Sequence, residues 1–182
     1  MAIGPVAGPR PWLAASAEVA QLAALVSEEE FWAFVDLLRG PGPRWFLTGR
    51  GRSGLVASMV GMRLMHIGMC CHVVGEPTAP AIGPGDAMIA VSASGTTVTT
   101  LHHAEVASRA GARVLSVTRD RDNPLAALSA SVLCLPAGPS VQLGGDLFEQ
   151  TALVVLDSLV NALASEARDA PAQLRARHTN LD

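Results

Sequence analysis

The sequence contains no lysine and no tyrosine, and all 13 of its basic residues are arginine. Without lysine the chain can form no Schiff base with a carbonyl substrate, and no Walker-type lysine can reach a phosphate. Cysteine is scarce: Cys70, Cys71 and Cys134 are odd in number, two are adjacent, and no Cys-x-x-Cys spacing occurs. Neighbours on a strand point to opposite faces, so the adjacent pair makes no ready metal clamp. All three read as reduced, mostly buried thiols of a cytoplasmic protein. Charge of either sign is sparse, 16% of residues with a formal net charge of -3, and like charges do not cluster. That argues against a nucleic-acid-binding face while leaving a few arginines to meet a phosphate. There is no window of 18 uncharged apolar residues, and no basic stretch followed by a long apolar run opens the chain. The expectation is therefore no membrane partner and no secretory signal.

What the chain has is apolar bulk, 49% of 182 residues, enough for one domain with a full core. Residues 1–15 are rich in Gly and Pro at their start and read as a loose lead. A helical stripe through Val19, Leu22, Leu25 and Val26 predicts one helix over 16–38, which Gly40-Pro41-Gly42-Pro43 ends. Over the core, 44–166, short apolar runs alternate with helical patterns. Strands are expected around Trp45–Leu47, His72–Val74, Met88–Val91, Val114–Val117 and Val132–Leu135. Helices are expected over 53–67, 97–110, near Leu125, and over 147–164. The tail, 167–182, is polar. Continuous apolar strands between helices indicate an α/β fold, a flavodoxin-like five-stranded parallel sheet with helices on both faces.

In such a sheet ligands bind beyond the carboxyl ends of the strands. Two polar glycine-containing loops stand at such ends, each leading into a helix. Ser92-Ala93-Ser94-Gly95-Thr96-Thr97 offers hydroxyls and free N–H groups at a helix start, which suits a phosphate dianion. Simple capping by Ser or Thr is the alternative. The other loop sets Gly51, Arg52 and Ser53 among glycines. Gly49, Gly51 and Gly54 also fit a dinucleotide fingerprint, although Glu76 comes late for the acidic ribose partner.

Several segments together resemble the 6-phospho-3-hexuloisomerase family of the sugar isomerase (SIS) fold. They are Gly51-Arg52-Ser53-Gly54-Leu55-Val56, Arg63-Leu64-Met65-His66-Ile67-Gly68, Val73-Val74-Gly75-Glu76, Pro80-Ala81-Ile82 with Gly85-Asp86, the hydroxyl loop, Leu147-Phe148-Glu149-Gln150, and Arg177-His178-Thr179-Asn180-Leu181. The resemblance spans roughly residues 45–182. It implies a homotetrameric isomerase that interconverts a 3-keto hexose 6-phosphate and fructose 6-phosphate in the ribulose monophosphate route of formaldehyde fixation. The chain departs from the family's usual residues at Arg50, Ala93, Thr96 and Asp146, and these bear on the substrate more than on the reaction type.

Moving a carbonyl to the next carbon takes a proton off one carbon and delivers it to the other, and one carboxylate can do both through an enediol. With the resemblance, Glu149 is the candidate base. By spacing alone, Asp146-x-x-Glu149 reads as a capping box. His66 and His178 are candidates for moving protons on the sugar oxygens, because imidazole titrates near neutral pH. A structural pair with Arg63, for His66, and a solvated tail, for His178, are the plainer readings. Ser92, Ser94 and Thr97 are expected to cradle phosphate, with Ser53, Arg52 and Gly51 opposite. His102 and His103 point about 100° apart on a helix and read as surface or interface. No spacing suggests a metal, and no cofactor is expected. Hydrophobes near Met59, Met62 and Met65 exceed what one buried face needs, which predicts a homotetramer or homodimer with pockets near subunit boundaries. Two other functions remain open: a non-catalytic sugar-phosphate sensor, though the chain has little room for an attached effector domain, and a dinucleotide-dependent enzyme.

Overall fold

A computed structural model describes residues 10–39, 42–166 and 169–180. Five strands, β1 (Trp45–Thr48), β2 (Cys71–Val73), β3 (Ala87–Val91), β4 (Arg113–Thr118) and β5 (Ser131–Cys134), form one sheet in the order β2-β1-β3-β4-β5. Every pairing is parallel. The helices are α1 (Pro11–Ala23), α2 (Glu28–Leu38), α3 (Arg52–His66), α4 (Val98–Arg109), α5 (Pro124–Ala127), α6 (Asp146–Ser165) and α7 (Ala170–Arg177).

Side chains alternate across each strand and so divide the core into two layers. Trp45, Leu47, Ile89, Val91, Leu115, Val117 and Leu133 join one layer with α2, α3 and α6. Phe46, Met88, Ala90 and Val114 join the other with Ala104 and Ala107 of α4 and Leu125 of α5. The expected α/β sheet with helices on both faces is what forms. Helix α6 is long and apolar enough by composition to cross a membrane. Here its Leu147, Phe148, Val155, Leu156, Leu159 and Val160 fill the core instead.

Three expectations are corrected. The helix read over 16–38 is two helices, and the first begins at Pro11, so the loose lead is shorter than 1–15. Proline is accommodated at a helix start, where its missing N–H is not needed. Ser27 begins α2: its side chain accepts from the Glu30 amide at 3.3 Å. Glu28, Glu29 and Glu30 then occupy the first turn, where the helix dipole favours negative charge. The tail, for which only a polar character and no helix was read, contains α7, which packs on α3. The connection from β2 to β3 has no helix. Pro77, Pro80 and Pro84 interrupt it, and proline in a helix interior removes a hydrogen bond and clashes with the preceding turn. Arg44 closes the lower end of this connection through Asp86, donating from Nη2 at 2.7 Å and Nε at 2.9 Å, and holds that carboxyl below its usual range.

The chain leaves β1 for β2 on one side and supplies β3 on the other. The loops after β1 and β3 therefore diverge between neighbouring strands, with Thr48 paired to Ala90. This divergence makes the crevice in which open α/β sheets hold ligands.

Candidate active site

The β1–α3 turn is built by glycine. A Cβ on Gly49 would lie 2.7 Å from the Ser53 backbone, so only a residue without a side chain lets the turn close. Gly51, with φ 56, is the N-cap of α3, and no side chain caps that helix. Its first N–H groups are thus open to an anion. The turn delivers two polar side chains to α6. Buried Ser53 donates from Oγ to Glu149 Oε1 at 3.1 Å. Arg52 lies with Nε 3.4 Å from Glu149 Oε2 and donates from Nη2 to the Gly144 carbonyl at 2.8 Å. It also pairs with Asp146.

The capping-box reading of Asp146 and Glu149 does not hold. The N-cap of α6 is Gly145, in the left-handed region at φ 94, and no side chain caps the helix. Asp146 is already the first helical residue. Released from capping, Glu149 is half-buried and faces the β1–α3 turn.

The hydroxyl loop after β3 is braced from behind. The Ala93 carbonyl accepts from the Arg119 amide at 3.1 Å and the Thr118 hydroxyl at 3.3 Å, and the Gly95 carbonyl accepts from the Leu125 amide at 3.2 Å. Gly95 has φ 62 and sits against Asn123. Within the loop, Ser92 Oγ donates to Thr97 Oγ1 at 3.1 Å, and Ser94 Oγ accepts from the Thr96 amide at 3.2 Å. Thr97 is the N-cap of α4, yet its side chain does not cap, and no acidic residue occupies the first turn. The capping alternative therefore leaves α4's opening N–H groups unused by side chains. Two helix starts without side-chain caps, after two adjacent strands, have the donors and dipoles that suit a dianion.

The predicted residues thus fall into two groups. Arg52 and Ser53, which follow the N-cap Gly51, meet Glu149, and the loop of Ser92, Ser94 and Thr97 follows the neighbouring strand β3. His66 and His178 come together elsewhere. Their rings stack with centroids 5.4 Å apart at 19°. His66 ends α3, whose start carries Arg52, so the stack lies about 21 Å from the turn at 1.5 Å per residue. His66 is buried, its Nδ1 has no hydrogen-bond partner, and burial lowers its pKa, with His178 and Arg63 adding repulsion. Arg63 turns to α6, donating to Asp157 at 2.9 Å and Asn161 at 3.2 Å.

Some participants were not legible beforehand. Asp146, read from the sequence as a capping residue, is Arg52's partner, and Asn123, which no sequence reading singled out, is the backing of the hydroxyl loop. His103, read as surface or interface, is half-buried and lies with Nδ1 2.8 Å from Thr48 Oγ1, while His102 is exposed. Among the described residues, no group of three or more His, Cys, Asp or Glu is placed to hold a metal ion. The cysteines are free: Cys70 is exposed, while Cys71 and Cys134 are partly buried. Burial pushes the Cys71 thiol up to about 12.

Comparison with known proteins identifies the family. The SIS domain family matches residues 37–164. A 3-hexulose-6-phosphate isomerase of Mycobacterium gastri is 40% identical over 173 residues, covering 91% of this chain and 86% of that protein. The enzyme of the same name from Bacillus subtilis is 30% identical, covering 91% and 94%. Among solved structures, a Methanococcus jannaschii protein whose crystal structure infers a 3-hexulose-6-phosphate isomerase function superposes with a TM-score of 0.83 at 26% identity, covering 94% of this chain and 98% of that one. By sequence and by fold, the chain belongs to the SIS domain family.

Proposed function

We propose that this protein is a cytoplasmic sugar-phosphate isomerase that interconverts 3-hexulose 6-phosphate and fructose 6-phosphate. The observation that carries the reading is Glu149: a half-buried carboxylate held by Ser53 and Arg52 beside two uncapped helix starts. The N–H groups and hydroxyls of Ser92, Ser94 and Thr97 bind the phosphate, with Gly51, Arg52 and Ser53 on the opposite wall. Glu149 removes the proton from C2 of the 3-keto sugar, giving a 2,3-enediolate. The proton returns at C3 while O2 loses its hydrogen and O3 gains one, so neither oxidant nor cofactor is consumed. The test is incubation with fructose 6-phosphate in deuterated water. Solvent deuterium entering the sugar without added cofactor supports the isomerase; binding without exchange would make the protein a sensor, and affinity for NAD or NADP alone would make it a dinucleotide enzyme.

Ser94→Ala is expected to weaken phosphosugar affinity at least about tenfold, since a hydrogen bond to a charged group is worth roughly 1.5–3 kcal/mol. Titration calorimetry checks this, with an unchanged melting temperature showing that the fold is intact. Unchanged affinity would remove the loop from the site.

The protein also self-associates in this reading. Leu55, Met59, Met62 and Met65 form an exposed apolar row along α3, and Val154 of α6 continues it. Between the two helices lies a groove of about 430 Å³ lined by Met59, Met62, Leu153 and Val154. A row of this kind is covered in a closed oligomer. A neighbouring subunit is also what gives the distant His66–His178 stack a route to a site. Met62→Arg is expected to shift the light-scattering mass to a smaller species at micromolar concentration. A monomer before the substitution would overturn the assembly.

A further inference from the structure

Across β1 from Glu149, the α4 side of the sheet holds a polar pair that the reaction scheme does not use. Thr48, the last residue of β1, is buried. By strand alternation it shares the face of Phe46, in the layer under α4. Its Oγ1 lies 2.8 Å from His103 Nδ1. His103 also lines a cavity of about 370 Å³ between α4 and the β2–β3 connection, together with Phe46, Met88, Ile82, Glu76 and His102. Packing alone does not call for an imidazole and a hydroxyl here. An apolar pair would fill the same space without two polar groups that each need a partner.

Thr48 also leads directly into the turn that carries the site. That turn has no slack, because a Cβ on Gly49 would meet the Ser53 backbone at 2.7 Å and one on Gly54 would meet the Gly49 carbonyl at 2.9 Å. A displacement of Thr48 therefore reaches Ser53, whose hydroxyl holds Glu149 Oε1 at 3.1 Å.

We propose that the Thr48–His103 pair is a positioning device: His103 anchors Thr48, Thr48 sets the β1–α3 turn, and the turn sets how Ser53 and Arg52 hold Glu149. This rests on the assignment of Glu149 as the base. The device is pH-sensitive. The titratable groups around His103 are His102 on its own helix, Arg50 on the turn and Glu76 across the cavity. Burial, then His102, then Arg50 lower its pKa from the ordinary 6.5. A histidine with a lowered folded-state pKa favours the neutral ring, so the pair is complete at neutral pH and is lost as pH falls below 6.5 towards the folded value. In the proposed pair the neutral ring accepts the Thr48 hydroxyl at Nδ1; protonation then puts a hydrogen on Nδ1, forces the Thr48 hydroxyl to turn round, and sets a second cation beside Arg50.

The experiment compares the unmodified protein with Thr48→Val, His103→Leu, the double variant and His103→Asn, whose amide occupies the Nδ1 position. Thr48→Val and His103→Leu are each expected to lower kcat about tenfold with KM little changed, as for a misplaced catalytic group. The double variant should lose no more than either single one. His103→Asn should recover most of kcat and lack the acid limb of the unmodified pH profile. NMR supplies a readout without turnover. The backbone amides of Gly51, Arg52 and Ser53 should titrate with the His103 ring, and cease to do so in Thr48→Val. Full turnover in both single variants, or turn amides that ignore the His103 titration, would overturn the proposal. If the unmodified protein turns over no phosphosugar, the isomerase reading fails, and the NMR arm still decides whether His103 and the turn are coupled.

Discussion

Replacing Glu149 by glutamine is expected to lower turnover about 10²–10⁴-fold, the usual cost of losing a general acid–base group. Folding should be nearly unaffected, and so should phosphosugar binding. The reason lies in what Glu149 does not do. It is not a capping residue, because Gly145 holds the N-cap position of α6 and no side chain caps that helix. Glutamine keeps the length, and its carbonyl oxygen still accepts the Ser53 hydroxyl that now reaches Oε1 at 3.1 Å. What is lost is the ion pair with Arg52, whose Nε stands 3.4 Å away on a half-exposed side chain, a contact worth at most about 1 kcal/mol. Removing the negative charge beside the phosphate loops does not weaken dianion binding. Steady-state kinetics, a thermal melt and calorimetry on the same sample check the three parts. Near-normal turnover would move the proton transfer to His178 or His66. A parallel fall in stability and activity would instead make Glu149 a structural residue of the α6 start.

Much of this architecture was legible because the relevant signals are local. Strands buried on both faces read as continuous apolar runs, and glycine clusters at their ends mark the turns. The failures have physical causes of equal clarity. The apolar stripe of the N-terminal segment runs on through Val26, so periodicity carried the helix past Ser27, although Ser27-Glu28-Glu29-Glu30 is a helix-start pattern. Helix α7 left no stripe because most of its residues are exposed. Asp146-x-x-Glu149 fits the spacing of a capping box, but spacing carries no backbone angle, and Gly145 at φ 94 had already taken the cap. The catalytic candidates were named residue by residue, yet their grouping was not readable. Which carboxylate meets which serine depends on α3 and α6 packing together, a contact spanning 96 positions. The same holds for Thr48 and His103, 55 positions apart. Non-local pairs of this kind are set by tertiary packing, which a single sequence does not display.

The hydroxyl loop gives the sharpest structural prediction. Gly95→Ala is expected to destabilise the protein by about 4 kcal/mol and to abolish high-affinity phosphosugar binding. Gly95 adopts φ 62, a left-handed conformation that costs a residue with a Cβ roughly 1 kcal/mol. The Cβ would also stand 1.8 Å from Asn123 Oδ1 and 2.1 Å from its Cγ. Asn123 has little freedom to retreat. Its Oδ1 accepts from the Ala126 amide at 2.9 Å as the cap of α5, and its Nδ2 donates to Thr118 Oγ1 at 3.1 Å and the Asp120 carbonyl at 2.8 Å. Expelling it loses a cap worth about 1 kcal/mol and hydrogen bonds worth roughly 1 kcal/mol each. The loop then loses its backing, and Ser94 and the first amides of α4 no longer converge. Urea denaturation measures the stability and calorimetry the binding. Gly138→Ala is the control, since a Cβ there meets open space and φ is not positive; it should be neutral. Combining Gly95→Ala with Asn123→Ala separates the two causes. If the clash dominates, the double variant loses less than the sum of the single ones, because either change alone already removes the Asn123 contacts. If Gly95→Ala is as stable as the unmodified protein, Asn123 is not the wall that holds this loop.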